Sequence, residues 1–308
     1  MGEDLGLDAS IVIPTFRRND RLVAALKSCF EQEGFSELQT EILVVDNDPA
    51  GRARACVESL RASAPVSLNY VHAPSGGISG ARNAGVVHSR GRAICFLDDD
   101  ETAEPGWLRA LIATQRSTGA DVVFGPVIAE PETPDPARAA FCREFFSRSP
   151  NIPSGQAVGF FGTGNSLIQR ATCVWDETPF DAKLGKFGSE DSVFFRELQR
   201  RGRRFVWCAE AQVRESVPEA RCSVSFLLRR SFKRGQSPSL LCVWRQPPDV
   251  LGVGAWMVVG SGQAVVYGLS ALCLTAIRSE RALQLGGRAV EGLGKVFWMR
   301  PFRQPWGG

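Results

Sequence analysis

The sequence predicts an α/β fold: a mostly parallel sheet flanked by helices over residues 1–220, followed by a basic, partly apolar helical region over 221–308. Three observations lead to this prediction. Short β-branched and apolar runs alternate with helical periodicity in the first half of the chain. These runs are apolar at consecutive positions, which is typical of strands covered by helices on both faces. The last region contains 12 Lys and Arg residues but only 3 Asp and Glu residues.

The first four strands and helices are predicted in strict alternation. The strands cover 10–14, 41–46, 67–71 and 93–97, and the helices cover 21–30, 50–62, 78–88 and 105–118. The alternation then loosens into a strand at 122–129, a proline-rich turn at 131–136, a glycine-rich segment at 159–168, a helix at 189–201 with Ser189 as its N-cap, and a strand at 204–208. Sheets of this kind bind ligands beyond the carboxyl ends of their strands, so functional residues are expected just after each strand.

Composition narrows the class of protein. A chain of 308 residues can bury one sizeable core, or a catalytic domain with a smaller appended region. Nine cysteines without a CxxC pair predict reduced, mostly buried thiols in the cytosol. The two histidines, His72 and His88, are too few for a histidine-rich metal site. The acidic N-terminus has no signal-peptide pattern, so secretion is not expected.

Residues 250–277 form an uncharged run between Asp249 and Arg278 that is long enough to span a bilayer. Five glycines, two serines and Gln263 lower its hydrophobicity, so three interpretations stay open: a spanning helix, a membrane-surface or re-entrant segment, and a soluble packed helix pair. A basic cluster of Arg229, Arg230, Lys233 and Arg234 precedes the run. The excess of cations predicts contact with an anionic surface, and the apolar content favours a membrane over nucleic acid.

An acidic turn follows the fourth predicted strand, where Asp98, Asp99 and Asp100 precede Glu101. Adjacent carboxylates repel one another unless a cation neutralises them. Mg²⁺ and Mn²⁺ prefer one or two carboxylates together with phosphate oxygens. A solvated acidic turn is the alternative, but the position at the carboxyl edge of the sheet favours a divalent cation site.

Three further segments carry candidate functional groups. Asp46 ends the second strand and can accept a hydrogen bond from a base or a ribose, although such turns are common without ligands. In GGISGARNAG, the glycines permit close approach of a ligand, Arg82 offers a cation for phosphate, and Asn83 can hold the local turn. Glu190 and Asp191 begin a helix, where a carboxylate either stabilises the helix dipole or acts as a general base.

Six segments occur in an order that resembles family 2 glycosyltransferases with the A-type fold. They are SIVIPTFRRND, VVDNDP, GISGARNAG, FLDDDE, GTGNSLIQR and FDAKLGKFGSEDSVFFRELQRRG. The resemblance covers about residues 9–210 and is greatest to bacterial exopolysaccharide-assembly enzymes. It implies transfer of a sugar from a nucleoside-diphosphate donor, most often a uridine one, to a glycan or polyprenyl-diphosphate-linked acceptor at the cytoplasmic face of the inner membrane.

The resemblance also implies roles for individual residues. The nucleotide and donor would be bound by Pro14, Thr15, Arg17, Asp46, Arg82, Asn83, Asp98, Asp99, Gly164 and Asn165. The divalent cation would be held by Asp98 and Asp100. Asp191 would be the catalytic base, with Glu190 supporting it or holding acceptor hydroxyls.

Two departures from the family pattern bear on the activity. Asn47 follows Asp46 where the family usually has a second carboxylate, and the Q-x-x-R-W element of processive synthases is missing, which favours transfer of a single sugar. Two other functions are alternatives: a sugar-phosphate nucleotidyltransferase, and a non-catalytic nucleotide-sugar-binding protein at the membrane. The first usually has a glycine-rich loop after the first strand, whereas PTFRRND contains no glycine.

Overall fold

The computed structural model of the protein describes residues 6–182, 190–243 and 247–302. Its residues form two compact units. The first holds the described residues up to Ile128 and those from Arg148 to Glu215. The second holds Ala129–Ser147 and the described residues from Ser216 onwards.

Ten strands occur in the described residues. In chain order they are β1 (Ala9–Thr15), β2 (Thr40–Asp46), β3 (Ser67–His72), β4 (Ala93–Phe96), β5 (Glu101–Ala103), β6 (Val122–Phe124), β7 (Val127–Pro131), β8 (Ser166–Gln169), β9 (Phe205–Trp207) and β10 (Val213–Val217). Seven of them form a sheet in the order β3-β2-β1-β4-β8-β6-β9, and β5, β10 and β7 form a smaller one.

The larger sheet is mostly parallel, as the sequence predicts. β1 pairs in parallel with β2 and β4, and β6 pairs in parallel with β9. β8 is the exception, since it is antiparallel to both β4 and β6. Every residue of β1 and β2 is buried, so the sheet is covered on both faces and its ligand-binding edge is formed by the loops after the strands.

Ten α-helices also occur in the part of the chain that the structure describes. They are α1 (Asn19–Phe30), α2 (Arg54–Leu60), α3 (Gly77–His88), α4 (Trp107–Thr118), α5 (Pro136–Phe146), α6 (Arg170–Cys173), α7 (Glu190–Arg200), α8 (Val224–Val243), α9 (Val250–Ala276) and α10 (Arg281–Val296). Short 3₁₀ helices cover Arg61–Ser63, Glu219–Cys222 and Arg300–Phe302. The predicted N-cap Ser189 lies outside the described residues.

Two predicted elements differ from the structure for local reasons. The strand expected at 122–129 is broken into β6 and β7 by Gly125 and Pro126. Proline has no N–H to donate, and a Cβ at Gly125 would lie 2.1 Å from the carbonyl oxygen of Ala211. The helix expected at 50–62 is shorter, because α2 begins only at Arg54, after a turn in which the N–H of Ala53 donates to Asp46.

The second unit is made of α5, α8, α9 and α10, which pack closely through glycines. A Cβ at Gly235 would lie 2.0 Å from the carbonyl oxygen of Glu291, and one at Gly294 would lie 2.1 Å from that of Phe232. Its core includes Phe141 on α5 and Leu227 on α8. Residues 129–147 therefore belong to a unit whose other residues are distant in sequence. The functional division at residue 220 stays a prediction.

Candidate active site

The acidic turn between β4 and β5 holds its three aspartates in different surroundings. The Asp98 side chain is 34% exposed, whereas those of Asp99 and Asp100 are buried. Arg18 Nη1 lies 3.0 Å from Asp99 Oδ1 and 2.7 Å from Asp100 Oδ2. Thr15 Oγ1 also donates to Asp99 Oδ2 at 2.8 Å. Burial raises the pKa of Asp99 to about 6, and the attraction of Arg18 opposes that rise.

Arg18 was not among the residues predicted for the site, yet it neutralises much of the repulsion within the turn. Its own pKa is raised, because the attraction of Asp99 and Asp100 outweighs the burial that would lower it. The Asp98 carboxylate is the most exposed of the three.

Glu101 connects the turn to a cation from elsewhere in the chain. Its Oε2 accepts a hydrogen bond from the N–H of Asp98 at 3.0 Å, and its Oε1 lies 3.3 Å from Arg148 Nη2. Burial and the nearby charge of Asp98 raise the pKa of Glu101 well above its usual value. Arg148 is positioned by two backbone hydrogen bonds with Val127. Sequence reasoning missed Arg148, because no motif surrounds it.

Arg82 on α3 is a buried cation that faces two carboxylates. Its Nη1 donates to Glu190 Oε1 at the start of α7, and its Nη2 lies 3.7 Å from Asp98 Oδ1. Burial raises the pKa of Glu190, although the adjacent Arg82 opposes the shift. Arg82 Nε and Glu190 Oε2 are buried without a hydrogen-bond partner in the described residues. Such unpartnered groups indicate a site prepared for a polar ligand.

A glycine loop, Gly162–Asn165, lies against both halves of the site. A Cβ at Gly164 would be 2.6 Å from Asp98 Oδ2, and one at Gly162 would be 3.3 Å from Asp191 Oδ2 and 3.4 Å from Arg148 Nη1. Gly162 also has φ +120°, which favours glycine. The loop therefore lies close to Asp98 at Gly164 and close to Asp191 at Gly162.

Three side chains that are predicted to bind the ligand form hydrogen bonds within the protein. Asp46 is wholly buried, and its carboxylate accepts hydrogen bonds from the N–H groups of Asp48 and Ala53 and from the hydroxyl of Tyr70. Asp46 therefore fixes the turn after β2, and its contact with a base or ribose stays a prediction. Burial and the bond to Asp46 raise the pKa of Tyr70 to about 12.

The two asparagines that are predicted to bind the donor also form hydrogen bonds within the protein. Asn83 Nδ2 donates to the carbonyl oxygen of Phe180, and Asn83 Oδ1 accepts from its N–H, at 2.8 and 2.9 Å. Asn165 Nδ2 donates to the carbonyl oxygens of Pro126 and Ala211, while its Oδ1 accepts from Trp107 Nε1. These side chains position the loops around the site, and their contacts with the donor stay predictions.

The loop after β1 presents a cation and an aromatic ring. Arg17 has φ +58°, its Nε donates to Asp48 Oδ1 at 3.1 Å, and its guanidinium lies 4.8 Å from the ring centre of Phe16. Both side chains are about half exposed. Pro14 is buried within β1 and has no polar side chain to offer. Phe16, which the sequence analysis did not single out, adds a surface on which a flat base can stack.

The acidic turn offers carboxylate oxygens that a divalent cation could use as ligands. Among the residues that the structure describes, no group of three or more His, Cys, Asp or Glu side chains is placed to hold a metal ion. Asp98 offers a partly exposed carboxylate, and Asp100 is engaged with Arg18. Hard oxygen donors of this number fit Mg²⁺ or Mn²⁺ when a diphosphate completes the coordination.

Comparison with protein families identifies the chain. Residues 10–173 match the model of glycosyl transferase family 2. The chain belongs to this family. It is therefore a glycosyltransferase, and its mostly parallel sheet with flanking helices is the A-type fold. Enzymes with this fold in the family generally use divalent cations.

Several known proteins are similar to this glycosyltransferase. The succinoglycan biosynthesis protein ExoM of Rhizobium meliloti is 37% identical over 234 residues, which are 75% of this chain and 74% of that protein. The GalNAc(5)-diNAcBac-PP-undecaprenol beta-1,3-glucosyltransferase of Campylobacter jejuni is 31% identical over 128 residues, 40% of this chain and 39% of that enzyme. TarS 1-349 of S. aureus, solved with UDP, has a similar fold: TM-score 0.55 at 18% identity, over 92% of this chain and 90% of that one.

Proposed function

We propose that this glycosyltransferase moves a single sugar from a nucleoside-diphosphate donor, a UDP-sugar, to a hydroxyl of a lipid-linked glycan during assembly of a bacterial polysaccharide. One observation carries the proposal: the loop Gly162–Asn165 lies close to Asp98 at Gly164 and close to Asp191 at Gly162. One short segment therefore lies next to both the carboxylate proposed for the donor side and the carboxylate proposed for the acceptor.

The relatives support this choice of donor and acceptor. One is named for succinoglycan biosynthesis, and another for adding glucose to an undecaprenyl-diphosphate-linked glycan. TarS 1-349 has been solved with UDP and with UDP-GlcNAc. A polyprenyl-linked acceptor also accounts for a basic, apolar C-terminal region, and we place the enzyme at the cytoplasmic face of the inner membrane.

The donor would be held at the carboxyl edge of the sheet. Phe16 and Arg17 offer a ring and a cation at the end of β1, where a base and its ribose can lie. Arg82, next to Asp98, would bind a diphosphate oxygen through its unpartnered Nε. A cation prearranged where charge grows on a leaving group lowers the barrier to its departure.

A divalent cation would be held by Asp98 and, after rearrangement of Arg18, by Asp100. When bound, the ion supplies positive charge that stabilises the diphosphate as it leaves.

Asp191 would act as the general base. It lies at the beginning of α7, and its Oδ1 accepts the N–H of Ser192 at 2.6 Å, which orients the carboxylate. Its Oδ2 is the oxygen next to Gly162. As the acceptor oxygen attacks the anomeric carbon, the acceptor proton moves to Asp191 and the bond to the diphosphate breaks. A single displacement of this kind inverts the anomeric configuration.

Glu190 would have a different role from its neighbour. It is buried and paired with Arg82, so it would support the site by positioning the guanidinium. Together, Arg82 and Glu190 connect the donor side of the site to the helix that carries Asp191.

The test is a transfer assay with a panel of nucleotide sugars and a bacterial polyprenyl-linked oligosaccharide fraction. We expect one labelled sugar to enter the lipid fraction from one donor, with the anomeric configuration inverted. Release of pyrophosphate from a sugar phosphate and UTP would indicate a nucleotidyltransferase instead. Binding of UDP without any turnover would indicate a non-catalytic protein.

A further inference from the structure

The helix α9 leaves an apolar stripe uncovered. We define the stripe as Leu251, Val258, Val265 and Leu272, whose residues are 88, 75, 60 and 70% exposed. Positions seven apart lie almost two full turns apart, so the four side chains share one side of the helix. Among the described residues, α9 is the one helix long and apolar enough to cross a bilayer, with a mean hydropathy of 1.6 over its best window.

The other side of α9 packs against α10. A Cβ at Gly260 would lie 2.6 Å from the carbonyl oxygen of Gly292. Gln263, at the midpoint of α9, donates from Nε2 to the carbonyl oxygen of Arg288 at 2.9 Å. Its Oε1 accepts from Lys295 Nζ, also at 2.9 Å. The centre of α9 is therefore attached to a polar side of α10.

This polar side belongs to a network of ion pairs. Lys295 Nζ lies 3.2 Å from Glu291 Oε1, and Arg234 Nη2 on α8 lies 2.7 Å from Glu291 Oε2. Arg288 Nη2 lies 2.6 Å from Glu144 Oε1 on α5. If α9 crossed a bilayer, Gln263 and the ion pairs beside it would lie near the bilayer centre, where charged side chains are costly.

The charges of the C-terminal region indicate which surface the stripe meets. Residues 221–308 contain 12 Lys and Arg but only 3 Asp and Glu. Arg278 and Arg281 are exposed at the carboxyl end of α9. Such cations attract anionic headgroups, whereas two copies of this basic region would repel one another.

We propose that α9 lies in the plane of an anionic membrane leaflet, with the apolar stripe among the upper acyl chains and α10 on the aqueous side. The helix is an interfacial anchor and does not span the membrane. This inference rests on the proposed function, in which the acceptor is membrane-bound, and it specifies how the enzyme is held there.

Depth measurements on the full chain test this orientation. Leu251→Cys, Val265→Cys and Leu272→Cys are each made in a Cys273→Ser background and labelled with a thiol-reactive fluorophore. The background protein alone corrects for labelling of other thiols. Vesicles of phosphatidylglycerol and phosphatidylcholine carry quenchers at shallow or deep positions along the acyl chain. We expect the shallow quencher to dominate at all three sites, at a depth of about 5–10 Å.

Two results would overturn the proposal. Strong quenching of the Val265→Cys label by the deep quencher, with shallow quenching of the other two labels, would mean that α9 spans. Absence of quenching at every site, with concentration-dependent dimer formation, would mean that a second copy covers the stripe. The quenching measurements use cysteine variants that still bind vesicles. They therefore give an answer even if a variant with charged residues in the stripe fails to fold.

A second experiment asks whether the stripe itself drives binding. Val258→Glu combined with Val265→Glu should reduce cosedimentation with anionic vesicles by about tenfold or more, because charges would have to enter the interface. Val87→Glu, at an exposed valine on α3, is the matched control and should bind vesicles like the wild type. Equal vesicle binding by the stripe variant and the wild type would refute the proposal.

Calorimetry with UDP separates this inference from the proposed function. The stripe variant should bind UDP as the wild type does, since the nucleotide site lies in the other unit. If α9 of the wild type lies in the plane of the vesicle membrane but the protein neither binds UDP nor transfers sugar, the proposed function is wrong and the proposed anchor is supported. If it transfers sugar yet does not bind vesicles, the anchor fails alone.

Discussion

Glu190 and Asp191 are neighbours in sequence, but their side chains have different surroundings. Glu190 is buried against Arg82, whereas Asp191 faces the glycine loop. The sequence indicated that this pair of carboxylates begins a helix and that one of them is a base. It did not show that the other is paired with Arg82, a residue 108 positions away, because that contact depends on the tertiary fold.

The first prediction concerns this buried ion pair. Arg82→Ala leaves Glu190 without its cation, so the free energy of unfolding should fall by about 3–5 kcal/mol. UDP affinity should fall as well. Adding Glu190→Gln to Arg82→Ala should restore much of the stability, because it removes the uncompensated charge, but it should not restore UDP binding. Chemical denaturation and calorimetry measure the two effects. Recovery of both by the double variant would contradict a role for Arg82 in donor binding.

A second prediction at this scale concerns Tyr70. Tyr70→Phe removes a hydrogen bond to the buried Asp46, so it should lower the free energy of unfolding by about 1–3 kcal/mol. Burial and that bond raise the pKa of Tyr70 from 10 to about 12 in the folded chain. The unfolded chain therefore loses its proton first, and stability from this residue is lost as the pH rises from 10 to about 12.

Denaturation curves across that pH range measure the effect. Tyr70→Phe should lose stability less steeply than the wild type, and Tyr267→Phe, at the other tyrosine of the chain, is the matched control. Parallel curves for Tyr70→Phe and the wild type would contradict the assignment. Donor binding should be little changed, since Asp46 is wholly buried.

At the scale of elements, the glycine loop gives the sharpest prediction. In Gly164→Ala, the new methyl group would lie 2.6 Å from Asp98 Oδ2 and 2.9 Å from Glu101 Oε1, so both carboxylates must move. We expect kcat to fall by about 10- to 100-fold, because small displacements of binding groups are costly to catalysis. The control is Gly159→Ala, whose methyl group would meet no atom within 4 Å. Equal activity of the two variants would show that the loop does not shape the site.

The first strands could be predicted from the sequence because their apolar residues are consecutive in the chain. β1 and β2 are buried throughout, so apolar residues run continuously along them. Asn83 and Asn165 could not be assigned in the same way. Their side-chain amides donate hydrogen bonds to the carbonyl oxygens of Phe180, Pro126 and Ala211. These partners are distant in sequence, so no local pattern predicts them. The sequence therefore predicts a ligand contact for these polar residues without showing that they also hold neighbouring loops.

At the scale of the whole molecule, the second unit combines segments that are far apart in sequence. Phe141 on α5 lies 2.3 Å from where a Cβ of Gly287 would be. The core of this unit also contains Val217 and Leu227. The composition of the chain predicted the basic C-terminal region. It did not predict that residues 129–147 pack with that region, because no feature of the α5 sequence indicates its partner helices.

Truncation after residue 220 should therefore do more than remove the membrane anchor. It strips Leu227 and Cys222 from Phe141, Cys142 and Phe146, so we expect a lower melting temperature and binding of a hydrophobic dye. The same truncation with Phe141→Glu should be more soluble and should still bind UDP. A truncated chain that melts like the full protein, without dye binding, would contradict this account of the second core.

The most direct test of the central claim is kcat for sugar transfer by Asp191→Asn, measured together with the Kd of UDP. A general base acts as the transition state forms, so kcat should fall by about 10²–10⁴-fold while the UDP affinity stays within about twofold of the wild type. Glu190→Gln should differ, since loss of the Arg82 ion pair affects donor binding as well. An unchanged kcat for Asp191→Asn, or a loss of UDP affinity with kcat preserved, would contradict the assignment of Asp191 as the base.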